Sequence, residues 1–208
     1  MEIPDAHTGP VPDQPEIPAE LRGPRVLLRP LSLRDARAAW EAIEESRAHL
    51  SPWLPWVHTV RSLDDERAVI GRLRARWKLR QGLTVGIFDR VTGRYLGGSG
   101  LHRINWDLRI FEIGYFIRAS EEGKGYITEA VQVLTRFAFD GLAASRVEIY
   151  VAPRNVRSVR VPERLGFVLE GTLRRCREAV DGRPEDRHVF ALIREDYLRL
   201  PWRGNPGP

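Results

Sequence analysis

The sequence predicts an α+β domain, a mixed and mostly antiparallel twisted sheet of about seven strands flanked by about four helices. Three observations predict it. Short alternating apolar runs recur along the chain, and two of them are joined by the hairpin turn Val91-Thr92-Gly93-Arg94. Between these runs lie longer segments with apolar residues at helical spacing. The chain has 208 residues, 42% apolar and 29% charged, which suffices for one core without disulfides or metals.

The elements follow in order. Residues 1–24 carry Pro4, Pro10, Pro12, Pro15, Pro18 and Pro24 with few large apolar side chains, and read as an extended tail rather than a packed element. Arg25 to Pro30 alternates as a strand. Ser32 caps a helix to Glu45, with Leu33, Ala36, Trp40 and Ile43 on one stripe. The prolines of Ser51 to Trp56 forbid a continuous helix there. A second helix runs from Ser62 to about Gln81, with Asp64, Asp65 and Glu66 at its positive end.

Leu83–Asp89, Arg94–Ile104 and Arg109–Arg118 are the next strands. A helix over Thr128–Gly141 buries Ala130, Val131, Leu134, Phe137 and Ala138. Arg146–Ala152 is an apolar strand, and Val156–Leu165 a helix stopped by Gly166. Pro162 removes a backbone donor inside that helix, so it is expected to be short or distorted. Gly171–Val180 and Arg187–Ile193 close the domain as a hairpin around Asp181-Gly182-Arg183. Residues 199–208 form a C-terminal tail.

Composition narrows the function classes. The net charge of +5 is carried mostly by arginine. It suits an anionic partner (a phosphorylated cofactor, nucleic acid or an acidic protein), although an arginine-rich coding bias gives the same surface. The single cysteine, Cys176, excludes an internal disulfide and a Cys-based zinc site, and fits a reducing, cytoplasmic setting. The five histidines show no metal-ligand spacing, so no metal is expected. The opening MEIPDAH lacks the parts of a secretion signal, and no apolar run approaches the roughly 20 residues of a membrane span.

The strongest local signal is Glu122-Gly-Lys-Gly-Tyr-Ile-Thr-Glu-Ala130, between the strand ending at Arg118 and the helix beginning near Thr128. A glycine turn at a helix N-terminus aims several backbone N–H groups at one point, and the helix dipole favours an anion there. Taken alone it could equally be a plain strand-to-helix turn. It is neither a dinucleotide fingerprint, which would need glycine at Thr128, nor a P-loop.

With its surroundings the turn says more. Glu112-Ile-Gly-Tyr-Phe-Ile-Arg118, the glycine turn and Thr128-Glu129-Ala130 together resemble the signature of the GNAT superfamily of N-acetyltransferases. Asn155-Val-Arg-Ser158 with Glu163-Arg-Leu-Gly-Phe167 is similar to a second element of that family. Glu170-Gly-Thr-Leu-Arg174, with Asp181-Gly182 and Asp186, resembles the closing hairpin of its RimJ/RimL branch, as does His49-Leu-Ser-Pro-Trp-Leu-Pro-Trp56. The resemblance spans residues 25–198 with its motifs in order.

It implies a GNAT-type fold with the sheet splayed in the middle, and direct transfer of acetyl from acetyl-CoA to a primary amine. Backbone amides of Gly123, Lys124, Gly125, Tyr126, Ile127 and Thr128 would hold the pyrophosphate. Phe116, Ile117 and Arg118 would pair with the pantetheine arm, and Asn155 would hydrogen-bond it. Glu122 departs from the usual residue, and a carboxylate there is unfavourable beside a pyrophosphate unless it points to solvent.

The reaction needs a base for the ammonium and an acid for the leaving thiolate. Glu112 is the first base candidate and Glu178 the alternative. Ser158 matches the position of the acid. Capping and edge ion pairs are the competing structural roles of these residues. Trp53 and Trp56 would line the acceptor groove, or simply pack.

The acceptor is left open between a protein N-terminus, as on a ribosomal protein, and a small-molecule amine or antibiotic. Another acyl-CoA could replace acetyl-CoA. A non-catalytic acyl-CoA- or nucleic-acid-binding module is the alternative of another class. Nucleic acid is not the expected partner, because the basic residues form no single run. A membrane partner is not expected either, and a homodimer is the weakly favoured assembly.

Overall fold

A computed structural model describes residues 15–204. The chain runs β1 (Leu21–Arg22), β2 (Val26–Arg29), α1 (Ala36–Leu50), α2 (Leu63–Lys78), β3 (Leu83–Asp89), β4 (Tyr95–Asn105), β5 (Ile110–Ile117) and α3 (Tyr126–Arg136). It continues through β6 (Arg146–Val151), α4 (Val156–Arg164), β7 (Val168–Glu178), β8 (Pro184–Ile193) and α5 (Arg194–Arg199). The eight strands form one sheet in the order β1-β2-β3-β4-β5-β6-β8-β7. Every pairing is antiparallel except that of β5 with β6.

Side-chain alternation gives the sheet two covered faces. On one, α3 lays Ala130, Val131 and Leu134 into the main core with Phe111, Ile113, Val147 and Ile149. On the other, α1 and α2 bring Ala39, Ala42 and Ile70 against Phe88 and Tyr95. The sheet opens where the two faces matter most. β5 pairs with β6 only from Ile110 to Glu112, opposite Arg146 to Glu148, and beyond Glu112 the two strands separate.

Two elements were not legible as strand or helix. Leu21–Arg22 pairs with Leu27–Leu28 as an edge strand, within the stretch expected to be tail. Ile17 and Leu21 pack on the main core, because isolated apolar side chains can be buried even from a proline-rich segment. Residues 1–14 lie outside the described residues. At the other end α5 buries Tyr197, stacked on Phe139 at 4.4 Å, and Trp202 packs on the same core. Residues 205–208 are again outside the description.

The helix expected over Thr128–Gly141 starts at Tyr126 and ends in a π-helical turn over Phe137–Gly141. α4, expected to be short or distorted, is short, at nine residues, and continuous across a buried Pro162.

Candidate active site

Glu112 stands at the apex of the opening. It is paired in register with His102 of β4 on one side and Glu148 of β6 on the other, so the three lie in a row across the sheet. Its ion pairs are long: Arg103 Nε and Arg177 both lie 3.4 Å from Oε2. Arg103 reaches it from an irregular point of β4, where its φ is 44°. Burial raises the Glu112 pKa above the usual carboxylate range; Arg103 opposes that shift and the like charge of Glu148 adds to it. Glu148 is better partnered, accepting from Arg146 Nε at 2.6 Å and from the Tyr150 hydroxyl at 3.3 Å. His102 is held neutral, its pKa pushed down to about 4 by burial and then by Arg76.

Alternation along β5 puts Glu112, Gly114 and Phe116 on the α1–α2 face and Ile113, Tyr115 and Ile117 on the α3–α4 face. The Phe116 ring crosses β4 at Gly98, where an added Cβ would lie 2.5 Å from it. Trp56 packs edge-on against Phe116, with ring centroids 5.3 Å apart. Trp53 lies under the Arg154 guanidinium at 4.9 Å, and Arg154 pairs with Glu185 of β8 at 2.6 Å. The two tryptophans are thus beside the opening, on the same face as Glu112.

On the opposite face α4 leans over the opening. Asn155 caps it, its side-chain oxygen accepting from Ser158 N at 3.2 Å. Tyr115 reaches across from β5. Its hydroxyl donates to the Ser158 carbonyl at 2.9 Å and accepts from Ser158 Oγ at 3.1 Å. In a regular helix that carbonyl would take the N–H four residues on, but Pro162 has none. The proline therefore leaves the Ser158 carbonyl to Tyr115 instead of breaking the helix.

The glycine turn has the conformation its residues suggest. Gly123 and Gly125 have φ of 75° and 84°, in the region glycine enters without strain, and Gly125 is the N-cap of α3. The backbone N–H groups of residues 123–128 donate to no carbonyl among the described residues. They form a row of unused donors at a helix N-terminus, suited to a phosphate. Glu129 locks this corner, accepting from the Arg25 and Val26 amides at 2.6 and 3.0 Å and from Arg25 Nε at 2.8 Å.

Glu122 is not turned to solvent. It pairs with Arg157 of α4 at 2.6 Å, which balances its charge, and His49 of α1 lies 3.4 Å away on its other side. Lys124 is likewise tied to Glu121, at 2.9 Å.

The expected residues thus converge unevenly. Glu112, Phe116, Ile117, Asn155 and Ser158 border the opening, and residues 123–128 lie at the turn that follows β5. Arg118 turns its side chain to Glu45 and to the Tyr95 carbonyl, 3.2 Å away, leaving only its main chain for a ligand. Glu178 ends the outer strand β7, opposite Pro184 and exposed. Tyr115, Glu148 and Arg177 are not among the expected site residues, and only their contacts or register with Ser158 and Glu112 reveal them.

Comparison with known proteins finds a family and a fold for the chain. Residues 25–168 match the family model described as "Acetyltransferase (GNAT) domain". The chain is 32% identical over 175 residues to the Bacillus subtilis protein named "Putative ribosomal N-acetyltransferase YdaF", covering 83% of this chain and 93% of that one. It is 26% identical over 155 residues to the ribosomal-protein-serine acetyltransferase of Escherichia coli, covering 74% and 84%. Among solved structures, Mycobacterium smegmatis RimJ in complex with CoA-disulfide superimposes with a TM-score of 0.79 at 28% identity, over 91% of each chain.

Proposed function

Since the chain belongs to the acetyltransferase (GNAT) domain family, we propose that it transfers acetyl from acetyl-CoA to a primary amine, the N-terminal α-amine of a protein. The observation that carries this reading is the strand opening at Glu112, followed along the chain by the unused amides of residues 123–128. A thioester with a diphosphate tail fits such a path. Its phosphates meet the turn, its amide-bearing arm meets the unpaired edge of β5, and its carbonyl reaches the apex.

The amine enters on the face of Trp53, Trp56 and Glu112. Glu112 takes the ammonium proton, directly or through a water, and its raised pKa makes it a stronger base than an exposed carboxylate. The nitrogen then attacks the acetyl carbon. The developing oxyanion is met by backbone N–H groups of β5 that lack a strand partner. The C–N bond is completed as the C–S bond breaks, the nitrogen releases its remaining extra proton to solvent, and the sulfur leaves as a thiolate toward Ser158. Among the described residues no group of three or more His, Cys, Asp or Glu could hold a metal ion, and this route needs none.

The protein acceptor is supported by the names of the relatives and by the paired tryptophans, whose amphipathic rings suit a peptide end. No helix among the described residues is long and apolar enough to cross a membrane. A cytoplasmic setting suits the lone Cys176. Calorimetry with acetyl-CoA, and thiol release in the presence of short peptides with free N-termini, test the reading. Tight binding with turnover that N-terminal formylation of the peptide abolishes is expected. Absence of any heat with acetyl-CoA or coenzyme A would overturn it.

A further inference from the structure

Ser158 faces a leaving sulfur in the reading above, but a serine hydroxyl rotates freely unless something orients it. The structure supplies that something. Tyr115 Oη is within hydrogen-bond distance of both oxygens of Ser158, donating to the carbonyl at 2.9 Å and accepting from Oγ at 3.1 Å. Neither contact is accidental to the helix. Pro162 withholds the amide that would otherwise fill the carbonyl, and the Asn155 cap fixes the Ser158 backbone from the other side. The ring bridges the two arms of the opening, from β5 to the helix that follows β6. Burial raises the Tyr115 pKa, so the hydroxyl keeps its proton through the working pH range.

We propose that Tyr115 is a positioning residue for the leaving group: it holds the Ser158 hydroxyl at the strand opening, ready to hydrogen-bond the coenzyme A sulfur. In the free protein the Ser158 proton rests on Tyr115 Oη. When a thiolate is present, that proton turns to sulfur. The Tyr115 hydroxyl can then move its own donation from the Ser158 carbonyl to Oγ, so Oγ never loses its partner. No proton leaves either residue. A hydrogen bond to sulfur favours the thiolate over the thiol.

This inference rests on the coenzyme A site of the proposed function, and its test separates the two. The acidity of the bound coenzyme A thiol is read from thiolate ultraviolet absorption in a Cys176→Ser background, where the coenzyme supplies the only thiol. Binding is measured in parallel by calorimetry. The bound thiol should be more acidic than the free one, and Tyr115→Phe should raise its pKa by about one unit, a tenfold loss of acidity, with little change in affinity. Ser158→Ala should raise it at least as much. The double variant should equal Ser158→Ala alone, because Tyr115 acts only through Ser158.

Equal thiol acidity in the parent and in both single variants overturns the proposal while leaving coenzyme binding intact. So does an additive double variant, which would mark Tyr115 as structural only. Should Tyr115→Phe fail to fold, an unchanged thiol acidity in Ser158→Ala overturns the proposal by itself. A parent protein that does not bind coenzyme A removes the proposed function instead.

Discussion

On the α3–α4 face of the opening, polar groups are closely partnered. Tyr115 and Ser158 share two hydrogen bonds, Asn155 caps α4, and Glu129 accepts three donors at 2.6 to 3.0 Å. On the α1–α2 face two carboxyls are partnered more loosely, although Glu148 beside them accepts from Arg146 Nε at 2.6 Å. Glu112 has only 3.4 Å contacts, and buried Trp40 Nε1 and Glu66 Oε2 have no hydrogen-bond partner. Both carboxyls have raised pKa values, chiefly through burial. Close partnering fixes geometry, as a cofactor and a leaving group require. Loose partnering in a dry place keeps a carboxylate basic, as proton abstraction requires. In the proposed reaction the two faces would serve the two halves of one displacement.

The largest expected effect breaks the loosely partnered face at its centre. Glu112→Gln should lower kcat/KM by about 10²- to 10³-fold while acetyl-CoA binding persists. The parent rate should rise with pH through the raised Glu112 pKa, since the base works only when ionised, and the variant should lose that limb. An unchanged pH–rate profile would move the base to Glu178 or to water.

Next is Glu66, whose pKa is pushed from 4.5 up to about 7 by burial, with Arg72 opposing. Below pH 4.5 the carboxyl is protonated in both folded and unfolded chains and carries no penalty. As pH rises to 7 the unfolded chain releases the proton first, so stability falls by roughly 3 kcal/mol and then levels. Glu66→Gln should flatten that slope and leave the variant more stable than the parent at pH 8, as read by urea denaturation across pH.

The tightly partnered face should respond through geometry, with no dependence on pH. Gly125→Ala forces a side chain onto a φ of 84° and within 3.3 Å of Arg25. A loss of about 1–2 kcal/mol in stability, with weaker acetyl-CoA binding by calorimetry, is expected. Smallest is Asn155→Ala, about 1 kcal/mol for a lost helix cap, read as a lower Tm. A clear pH dependence in either variant would erase the contrast between the faces.

Much of this was readable beforehand. The bounds of Leu83–Asp89 are legible to the residue, and so are the glycine turn and the residues Glu112, Asn155 and Ser158 that border the strand opening. Strand alternation and turn glycines are local signals, carried by neighbouring residues. β1 and α5 were missed because two and six residues are too short for a period to show. The lost donor at Pro162 is legible, but what takes the orphaned carbonyl is not, because that partner is Tyr115, 43 residues from Ser158. The partners of Glu122 are hidden for the same reason, since Arg157 and His49 come from two distant helices.

By itself the sequence determined the order of the longer elements, the conformation of the turn and the residue types that chemistry would need, because each depends on backbone preferences and periodicities over a few positions. Only the tertiary structure decided which carboxylate stands at the apex, that it lies beside Glu148 and His102, and that a tyrosine holds the serine. Those facts depend on strand register and on burial, and both arise from contacts between distant segments that no local pattern encodes.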